Sequence, residues 1–323
     1  MMSPGMNQIN VCCAECGKEG GTSLKKCKAC MLVRYCNAAC QKKHWPTHKA
    51  ECKLRAAELR DEALFKDPPP KEDCPICFLP MPKKIINCVS LPDATISSRP
   101  IYDFAKANVE LAKMEMAHYY SCCGKSICKG CVYSFTQSGN IGKCPFCNAD
   151  QASKTNEEVV EELMKRVAAY DAFSICMLAD SYYYGLIGFQ QDRAKAIERY
   201  TRAADLGCIK AHDQLGGIYD EGGDMKKAKF HYEAAAMAGD DMARNTLGTM
   251  DAKAGNIERA IEHWTIAASA GSYMAMHHLI LFFEHGRVTN ESIDSILAAY
   301  NSACVEMRSE ARDAYIQYTI ETI

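Results

Sequence analysis

Small and apolar residues recur every 32 positions in the C-terminal half of the chain. The recurring positions are an Ala-Ala-x2-Gly motif at 203–207, 235–239 and 267–271, and a preceding aromatic residue at Tyr200, Tyr232 and Trp264. A period of roughly 20–50 residues is typical of stacked structural units. Small residues let two helices approach closely, and aromatic side chains fill the space between successive pairs. The pattern therefore predicts a series of stacked helix pairs.

The repeating pattern covers residues 172–304 in about four units, the first of which has a longer turn at 185–192. The glycine after each second helix favours a left-handed cap. This pattern resembles Sel-like repeats, relatives of the tetratricopeptide repeat. The resemblance implies an α-solenoid that binds peptides or other proteins. Residues 305–323 are expected to form a helix that caps the exposed apolar face of the last unit.

Two local signals mark boundaries before the repeats. Pro68-Pro69-Pro70 cannot continue a helix, so residues 67–73 are expected to be a stiff linker. Thr155 and Glu158 have the spacing of a capping box ahead of an apolar run. This spacing predicts a helix that starts near Thr155 and connects to the repeats within residues 151–171.

Cysteine is the unusual feature of the composition, with 20 residues in a chain of 323. Seventeen of them lie between Cys12 and Cys147. The first residues show neither a basic nor an apolar signal region, so we expect no secretory signal and a reducing location, cytoplasmic or nuclear. In that setting Cys-x2-Cys pairs indicate metal ligands rather than disulfides. No segment approaches the ~20 apolar residues of a membrane helix, so we expect no membrane partner.

Residues 11–66 contain eight side chains with metal-ligand spacing. They are Cys13, Cys16, Cys27, Cys30, Cys36, Cys40, His48 and Cys52. Zinc takes four nitrogen or sulfur ligands in a tetrahedron, so eight ligands predict two zinc ions. A segment of fewer than ~60 residues buries too little apolar surface to fold alone, so metal must supply the stability.

The pairs Tyr35-Cys36, Cys40-Gln41, His44-Trp45 and His48-Lys49 make residues 13–52 resemble a MYND finger. The resemblance implies interleaved ligands. One zinc would be held by Cys13, Cys16, Cys36 and Cys40, and the other by Cys27, Cys30, His48 and Cys52. It also implies a groove for proline-containing peptides to which Gln41 and Trp45 contribute. The alternative for Trp45 is packing within the small core between the two zinc ions.

Residues 74–150 form a second cysteine cluster with a long insert. The insert includes an amphipathic helical pattern at 105–114. The order of the cysteine pairs resembles a RING-type cross-brace, in which the first and third pairs share a zinc. That resemblance implies one zinc site formed by Cys74, Cys77, Cys128 and Cys131.

The second site of this module would contain Cys144 and Cys147 with two further ligands. A RING usually has a Cys-x-His step before its third pair, but Lys125 stands at the position of that histidine. The adjacent Cys122 and Cys123 are the favoured substitutes. Cys88 together with one of them, or His118, are the alternatives.

The same resemblance raises the question of ubiquitin transfer. Ile76 and Pro145 match positions that contact the ubiquitin-conjugating enzyme in RING ligases, whereas Asn148 stands where a basic residue is common. A RING ligase positions a conjugate made by another protein and has no catalytic side chain of its own. No residue of this chain is therefore assigned a catalytic role.

The distribution of charge disfavours a nucleic-acid partner. Residues 1–150 contain 21 Lys+Arg and 14 Asp+Glu, a net +7, and residues 151–323 contain 17 and 26, a net −9. Zinc ions bound by three or four thiolates carry negative charge that would offset the N-terminal excess. Nucleic acid binding is therefore not expected.

These observations together predict a mostly α protein, with two small zinc-stabilised modules followed by an α-solenoid of helix-turn-helix repeats. The motifs GxxxxGK[ST], GxGxxG and HExxH do not occur, so an enzyme with its own active site is disfavoured. We expect a zinc-binding adaptor with four zinc ions that holds other proteins or proline-containing peptides. The alternative is a RING-type ubiquitin ligase whose repeats select the substrate.

Overall fold

The computed structural model describes residues 12–20, 23–82, 84 and 115–322. The chain divides into two compact units, Met1–Lys66 and Asp67–Ile323. The amphipathic pattern at 105–114 and the candidate ligand Cys88 lie outside the described residues. Most of the described chain is helical, as the sequence predicts.

The described residues of the first unit form two short strands and one long helix. Strands β1 (Lys25–Lys26) and β2 (Arg34–Tyr35) pair antiparallel, and helix α1 spans Ala38–Leu64. The side chain of Asn37 accepts a hydrogen bond from the Cys40 amide and so caps the start of α1. The core is small and rich in sulfur, with the buried residues Cys13, Leu24, Cys27, Cys30, Tyr35 and Cys52.

The strands described in the second unit form a hairpin, which a short helix follows. Strands β3 (Ala117–Tyr120) and β4 (Lys125–Cys128) pair antiparallel, and α2 (Lys129–Gln137) follows directly. Tyr120 and Ile127 are buried beside the cysteines of this region. The hairpin and helix thus bring several cysteines into one small core.

Ten helices complete the described part of the second unit. They are α3 (Asn156–Ala168), α4 (Ala172–Tyr184), α5 (Arg193–Asp205), α6 (Ile209–Glu221), α7 (Met225–Met237), α8 (Asp241–Lys253), α9 (Ile257–Ser269), α10 (Tyr273–Glu284), α11 (Asn290–Glu306) and α12 (Glu310–Thr322). The predicted capping box is present at the start of α3, where Thr155 and Glu158 exchange side-chain and backbone hydrogen bonds. Among the described residues, no helix is long and apolar enough to cross a membrane.

Helices α4 to α11 form the solenoid as consecutive pairs. Each closing glycine has the left-handed backbone conformation that the motif predicts, with φ values of 89° at Gly207, 92° at Gly239 and 83° at Gly271. The core of the pairs contains the repeated alanines and the aromatic residues Tyr200 and Trp264, all of which are buried. Helix propensity, capping and burial therefore agree over this region.

Two segments of the second unit make contacts that are distant along the chain. Pro69 lies against Gly239, and the Lys71 ammonium donates to the Ala270 carbonyl at 2.8 Å, so this segment contacts the repeats. Helix α12 packs against α2 of the cysteine-rich region. Sequence periodicity reports local helix faces and contains no signal for such contacts, which join residues more than 150 positions apart.

Candidate metal centres

Four clusters of cysteine and histidine side chains are present in the described residues. Within each cluster the ligand atoms lie within 4.8 Å of one another. We call them centres 1 to 4 in chain order. They are Cys13, Cys16, Cys36 and Cys40; Cys27, Cys30, His48 and Cys52; Cys74, Cys77, Cys128 and Cys131; and Cys122, Cys123, Cys144 and Cys147. Centres 1 to 3 contain the residues that the family resemblances imply, and centre 4 contains Cys122 and Cys123, which the sequence favours over Cys88 and His118.

Centres 1 and 2 interleave along the chain, and helix α1 contributes ligands to both. Centre 1 receives Cys36 from the end of β2 and Cys40 from the first turn of α1, whose Sγ atoms are 3.5 Å apart. Centre 2 receives His48 and Cys52, which lie four residues apart and so share one face of α1. The Nε2 atom of His48 lies 3.2 Å from the Cys30 Sγ, which identifies the nitrogen that faces the centre.

Centres 3 and 4 are built on the β3–β4 hairpin. Centre 3 receives Cys128 from the end of β4 and Cys131 from the first turn of α2. Centre 4 receives Cys122 and Cys123 from the turn between the strands. His118 lies on β3 with its ring against Tyr120 and does not belong to any of the four clusters.

Four Cys-x2-Cys pairs adopt the same turn. In each, the residue after the second cysteine has a left-handed backbone and donates its amide to the carbonyl of the first cysteine at 2.8–3.0 Å. These residues are Gly17, Met31, Phe78 and Asn148, with φ values of 69°, 57°, 56° and 58°. The left-handed conformation is uncommon for residues other than glycine, yet three of the four are not glycine. Its recurrence indicates a shared constraint, here the need to direct two sulfurs at one point.

The spacing of the sulfur atoms fits a tetrahedral zinc ion. With a Zn–S bond of about 2.3 Å, the edge of the tetrahedron is about 3.8 Å. The measured Sγ–Sγ separations are 3.7 Å for Cys16–Cys36 and Cys27–Cys52, and 3.8 Å for Cys74–Cys131 and Cys77–Cys128. In centre 4 they are 3.9 Å for Cys123–Cys144 and 3.6 Å for Cys122–Cys147. Each of the four clusters could therefore hold one zinc ion.

One thiol in each centre has a lowered pKa and therefore loses its proton more readily. Backbone amide groups, chiefly that of Cys16, lower the pKa of Cys13 to about 6. The backbone amide of Ala149 is the main cause that lowers the pKa of Cys147 to about 7. For Cys27 and Cys74 burial opposes ionisation, yet backbone amides, chiefly those of Cys30 and Cys128 respectively, and neighbouring side chains still lower the pKa values to about 6 and 7. Because zinc binds the thiolate, this arrangement favours metal binding near neutral pH.

Several further thiols of the centres resist ionisation because their pKa values are raised. The pKa of Cys40 rises to about 12, mainly because its side chain hydrogen-bonds to Cys36, and burial raises the pKa of Cys52 to about 12. Burial also raises the pKa of Cys123 to about 11. Several negative charges this close together require a cation, which zinc would supply.

The two residues predicted to line a peptide groove lie together on the outside of α1. Gln41 and Trp45 are four positions apart and share a face of the helix. The Trp45 side chain is 38% exposed, and its ring lies edge-on to that of His48 at a centroid distance of 6.5 Å. The tryptophan is therefore partly available at the surface beside centre 2.

Ile76 and Pro145, the two residues that match the enzyme-contacting positions of RING ligases, lie within the Cys-x2-Cys turns of centres 3 and 4. Ile76 is 40% exposed within the Cys74–Cys77 turn, and Pro145 is partly buried within the Cys144–Cys147 turn. Asn148 has a left-handed backbone and follows the last ligand.

Sequence reasoning missed three groups of polar residues. His212 and His231 lie on α6 and α7 with their Nδ1 atoms 3.1 Å apart, although no ligand spacing connects them. Arg166 donates to the carbonyls of Ser121 and Cys122 at centre 4, and Arg312 donates to the sulfur of Cys77 at centre 3. No sequence signal could have found these contacts, because each arginine is distant along the chain from its acceptor.

Comparison with protein families agrees with two of the modules. Residues 13–52 match the MYND finger model, and residues 172–208, 210–240 and 247–272 match the Sel1 repeat model. The chain thus contains a MYND finger, which binds zinc, followed by Sel1 repeats. Both are protein-interaction modules, and they support a zinc-binding role in protein–protein interaction.

Similar proteins share only short segments with this chain. A SET and MYND domain-containing protein of Dictyostelium discoideum is 47% identical over 49 residues, 14% of this chain and 9% of that protein. Histone-lysine N-methyltransferase SMYD3 of Homo sapiens is 51% identical over 45 residues, 13% of this chain and 10% of that protein. The chain thus spans about a tenth of the length of these relatives. A Sel1 repeat protein from Oxalobacter formigenes has a TM-score of 0.42 and 23% identity, covering 56% of this chain and 72% of that structure.

Proposed function

We propose that this protein is an adaptor in which the MYND finger captures proline-containing peptides and the helical repeats hold a second protein. Two binding modules on one chain raise the local concentration of one partner near the other, so the overall affinity exceeds that of either module. The abundance of cysteine suits a reducing location, cytoplasmic or nuclear. The protein would have no catalytic side chain of its own.

The observation that carries the peptide proposal is the position of Trp45. A tryptophan in a small domain would gain most by full burial, yet this side chain is 38% exposed on the same helix face as Gln41. Partly exposed tryptophans are frequent anchors in interfaces because the ring offers a large apolar area with one hydrogen-bond donor. The Gln41 amide beside it could hydrogen-bond to the backbone of an extended peptide.

The test is a peptide-binding measurement on the full-length zinc-loaded protein. An array of proline-containing peptides identifies the tightest ligand, and fluorescence anisotropy then compares the wild type with Trp45→Ala. Loss of a central aromatic anchor costs about 2 kcal/mol or more, so we expect at least about 30-fold weaker binding. Leu54→Ala is the matched control, because Leu54 is exposed on α1 beyond the last zinc ligand.

Zinc content separates a binding effect from a folding effect. Trp45→Ala should keep all of the zinc that the wild type binds, since Trp45 is not a ligand. If no array peptide binds the wild type, or if both variants bind a peptide as tightly as the wild type, the finger is not a receptor for proline-containing peptides.

The second candidate function is a RING-type ubiquitin ligase. It is favoured by the exposure of Ile76 in a cross-brace whose first and third cysteine pairs share a centre. Autoubiquitination assays with a panel of ubiquitin-conjugating enzymes would test it, and Ile76→Ala should abolish transfer while leaving zinc content unchanged. An inactive wild type across the panel would leave the adaptor as the function.

A further inference from the structure

The last helix of the chain makes an unusually close contact with the cysteine-rich region. Gly130 lies in the first turn of α2, and a Cβ atom there would lie 2.7 Å from the backbone N and Cα and from the Cγ of Arg312. Only glycine therefore allows α12 to approach α2 this closely. The contact continues along α2, where the Tyr133 ring lies 5.3 Å from the ring of Tyr318.

Arg312 is fully buried at this contact, and its guanidinium points at centre 3. Its Nη2 atom donates to the Cys77 Sγ at 3.4 Å and to the Leu79 carbonyl at 3.2 Å. Its Nη1 atom donates to the Pro80 carbonyl at 2.8 Å and to the carbonyl of Met307. The Arg312 guanidinium thus contacts the proposed metal ligand Cys77 and two backbone carbonyls, those of Leu79 and Pro80, shortly after it in the chain.

The charges of the two partners are complementary. A zinc ion bound by four thiolates carries a net charge of −2, and three of the four cysteines of centre 3 are buried. A buried guanidinium is costly unless it is paired, and a buried excess of negative charge is costly for the same reason. Each group therefore reduces the cost of burying the other, and the hydrogen bond to Cys77 orients its sulfur.

We propose that Arg312 is a positioning residue of centre 3, so that the centre holds its zinc more tightly while the C-terminal helix is docked. The inference rests on the proposed ligand set of that centre. Linkage makes the coupling reciprocal: zinc in centre 3 favours docking of α12 to the same extent that docked α12 favours zinc. Arg312 and Cys77 are 235 positions apart in the sequence.

The first experiment measures the rate at which a colorimetric chelator removes zinc from the full-length protein. Loss of an outer-sphere partner typically costs about 10–100-fold in metal affinity. We expect one zinc per chain to leave about 10–100-fold faster in Arg312→Met, and less fast in Arg312→Lys, which keeps the charge without the planar fork. Arg308→Met is the matched control: Arg308 is half-exposed, pairs with Asp313, and should leave every rate unchanged.

Cobalt substitution separates positioning from simple destabilisation. A change in charge and hydrogen bonding at a ligand sulfur shifts the thiolate-to-cobalt absorption of that centre, whereas a merely less stable helix would not. We expect a shift in Arg312→Lys, which should fold. Unchanged absorption and unchanged zinc release in both Arg312 variants would overturn the proposal.

Two further measurements keep the outcomes distinct. Cys77→Ser should lower the zinc content by one; if it does not, the ligand set of centre 3 is wrong. If it does while the Arg312 variants match the wild type, only the role of Arg312 is wrong. In the wild type, partial chelation should also increase hydrogen exchange of the amides of residues 310–322, and unchanged exchange would contradict the reciprocal coupling.

Discussion

Single glycines determine how closely the repeat helices approach. A Cβ at Gly216 would lie 2.6 Å from the Tyr232 ring, and a Cβ at Gly248 would lie 2.5 Å from the Trp264 ring. The two pairs are 32 positions apart, which is the repeat period. The aromatic ring of one helix therefore packs directly on the backbone of the preceding helix. The same contact recurs in the next repeat, 32 residues later.

The neighbouring Gly217 offers a matched comparison. A Cβ at that position would meet only the Tyr232 hydroxyl, at 3.8 Å, which is ordinary van der Waals distance. Gly216→Ala should therefore lower the free energy of unfolding by about 1–3 kcal/mol through overpacking. Gly217→Ala should raise it by about 0.5–1 kcal/mol, because alanine is the better helix former. Urea unfolding followed by circular dichroism measures both, and equal effects would contradict this account of the packing.

A buried histidine makes the repeats sensitive to acid. Burial, reinforced by the positive charge of Arg244, lowers the pKa of His263 from 6.5 to about 3. Its Nε2 lies 3.6 Å from the carboxylate of Asp251, which also faces Lys229 and Arg259. Between pH 6.5 and 3 the unfolded chain therefore binds a proton at His263 that the folded chain does not.

Because the unfolded chain binds this extra proton, acid favours unfolding. Stability falls as the pH is lowered from about 6.5, by up to about 1.4 kcal/mol per pH unit from this one group. His263→Gln should flatten the dependence of the unfolding free energy on pH between 7 and 5. His285→Gln, at an exposed histidine, is the control. Parallel pH profiles for His263→Gln and the wild type would show that His263 does not contribute.

At the scale of elements, helix starts are marked by side-chain caps. Asp171, Asp192, Asp224 and Asp240 each accept a backbone amide at the start of a repeat helix, and Thr155 does so for α3. These short polar residues were visible in the sequence, but only Thr155 and Glu158 had the spacing of a complete capping box. Side-chain caps therefore account for where these five helices begin, and glycines for where several helices end.

Removal of the α3 cap should have a measurable cost. Thr155→Ala deletes the acceptor for the Glu158 amide and should lower the free energy of unfolding by about 1 kcal/mol. Thr201→Ala is the matched control, because Thr201 is exposed within α5 and its hydroxyl bonds only the Ile197 carbonyl. If both substitutions cost the same in urea titrations, the hydroxyl of Thr155 has no special role.

At the scale of the whole molecule, metal and apolar burial stabilise different regions. The core of the first unit consists mainly of cysteine side chains, whereas the repeats bury extended clusters of alanine, leucine and aromatic residues. A core of the first kind depends on its metal, and a core of the second kind does not.

Zinc removal should therefore affect the two regions unequally. The intact protein is expected to contain four zinc ions per chain by mass spectrometry of the metal. After chelation under reducing conditions, the NMR signals of residues 12–66 should lose their dispersion while most of the helical circular dichroism remains. A metal-free chain whose first unit still unfolds cooperatively would contradict this division.

Several local features of this protein can be predicted from its sequence. The repeat period, the capping box at Thr155 and the cysteine spacing each express a constraint between residues that are close along the chain or arranged in a recurring pattern. The choice between the ligands proposed for centre 4 was open, because several cysteines were close enough in sequence to serve. Folding of the β3–β4 hairpin brings Cys122 and Cys123 to Cys144 and Cys147.

The MYND finger, the repeats and the presence of metal ligands could therefore be inferred from patterns along the chain. The contacts of Lys71 with the repeats, of His212 with His231 and of Arg312 with Cys77 arise only in the folded protein. Such contacts depend on the summed geometry of all intervening elements, and a lone arginine or histidine has no spacing that would indicate its distant partner.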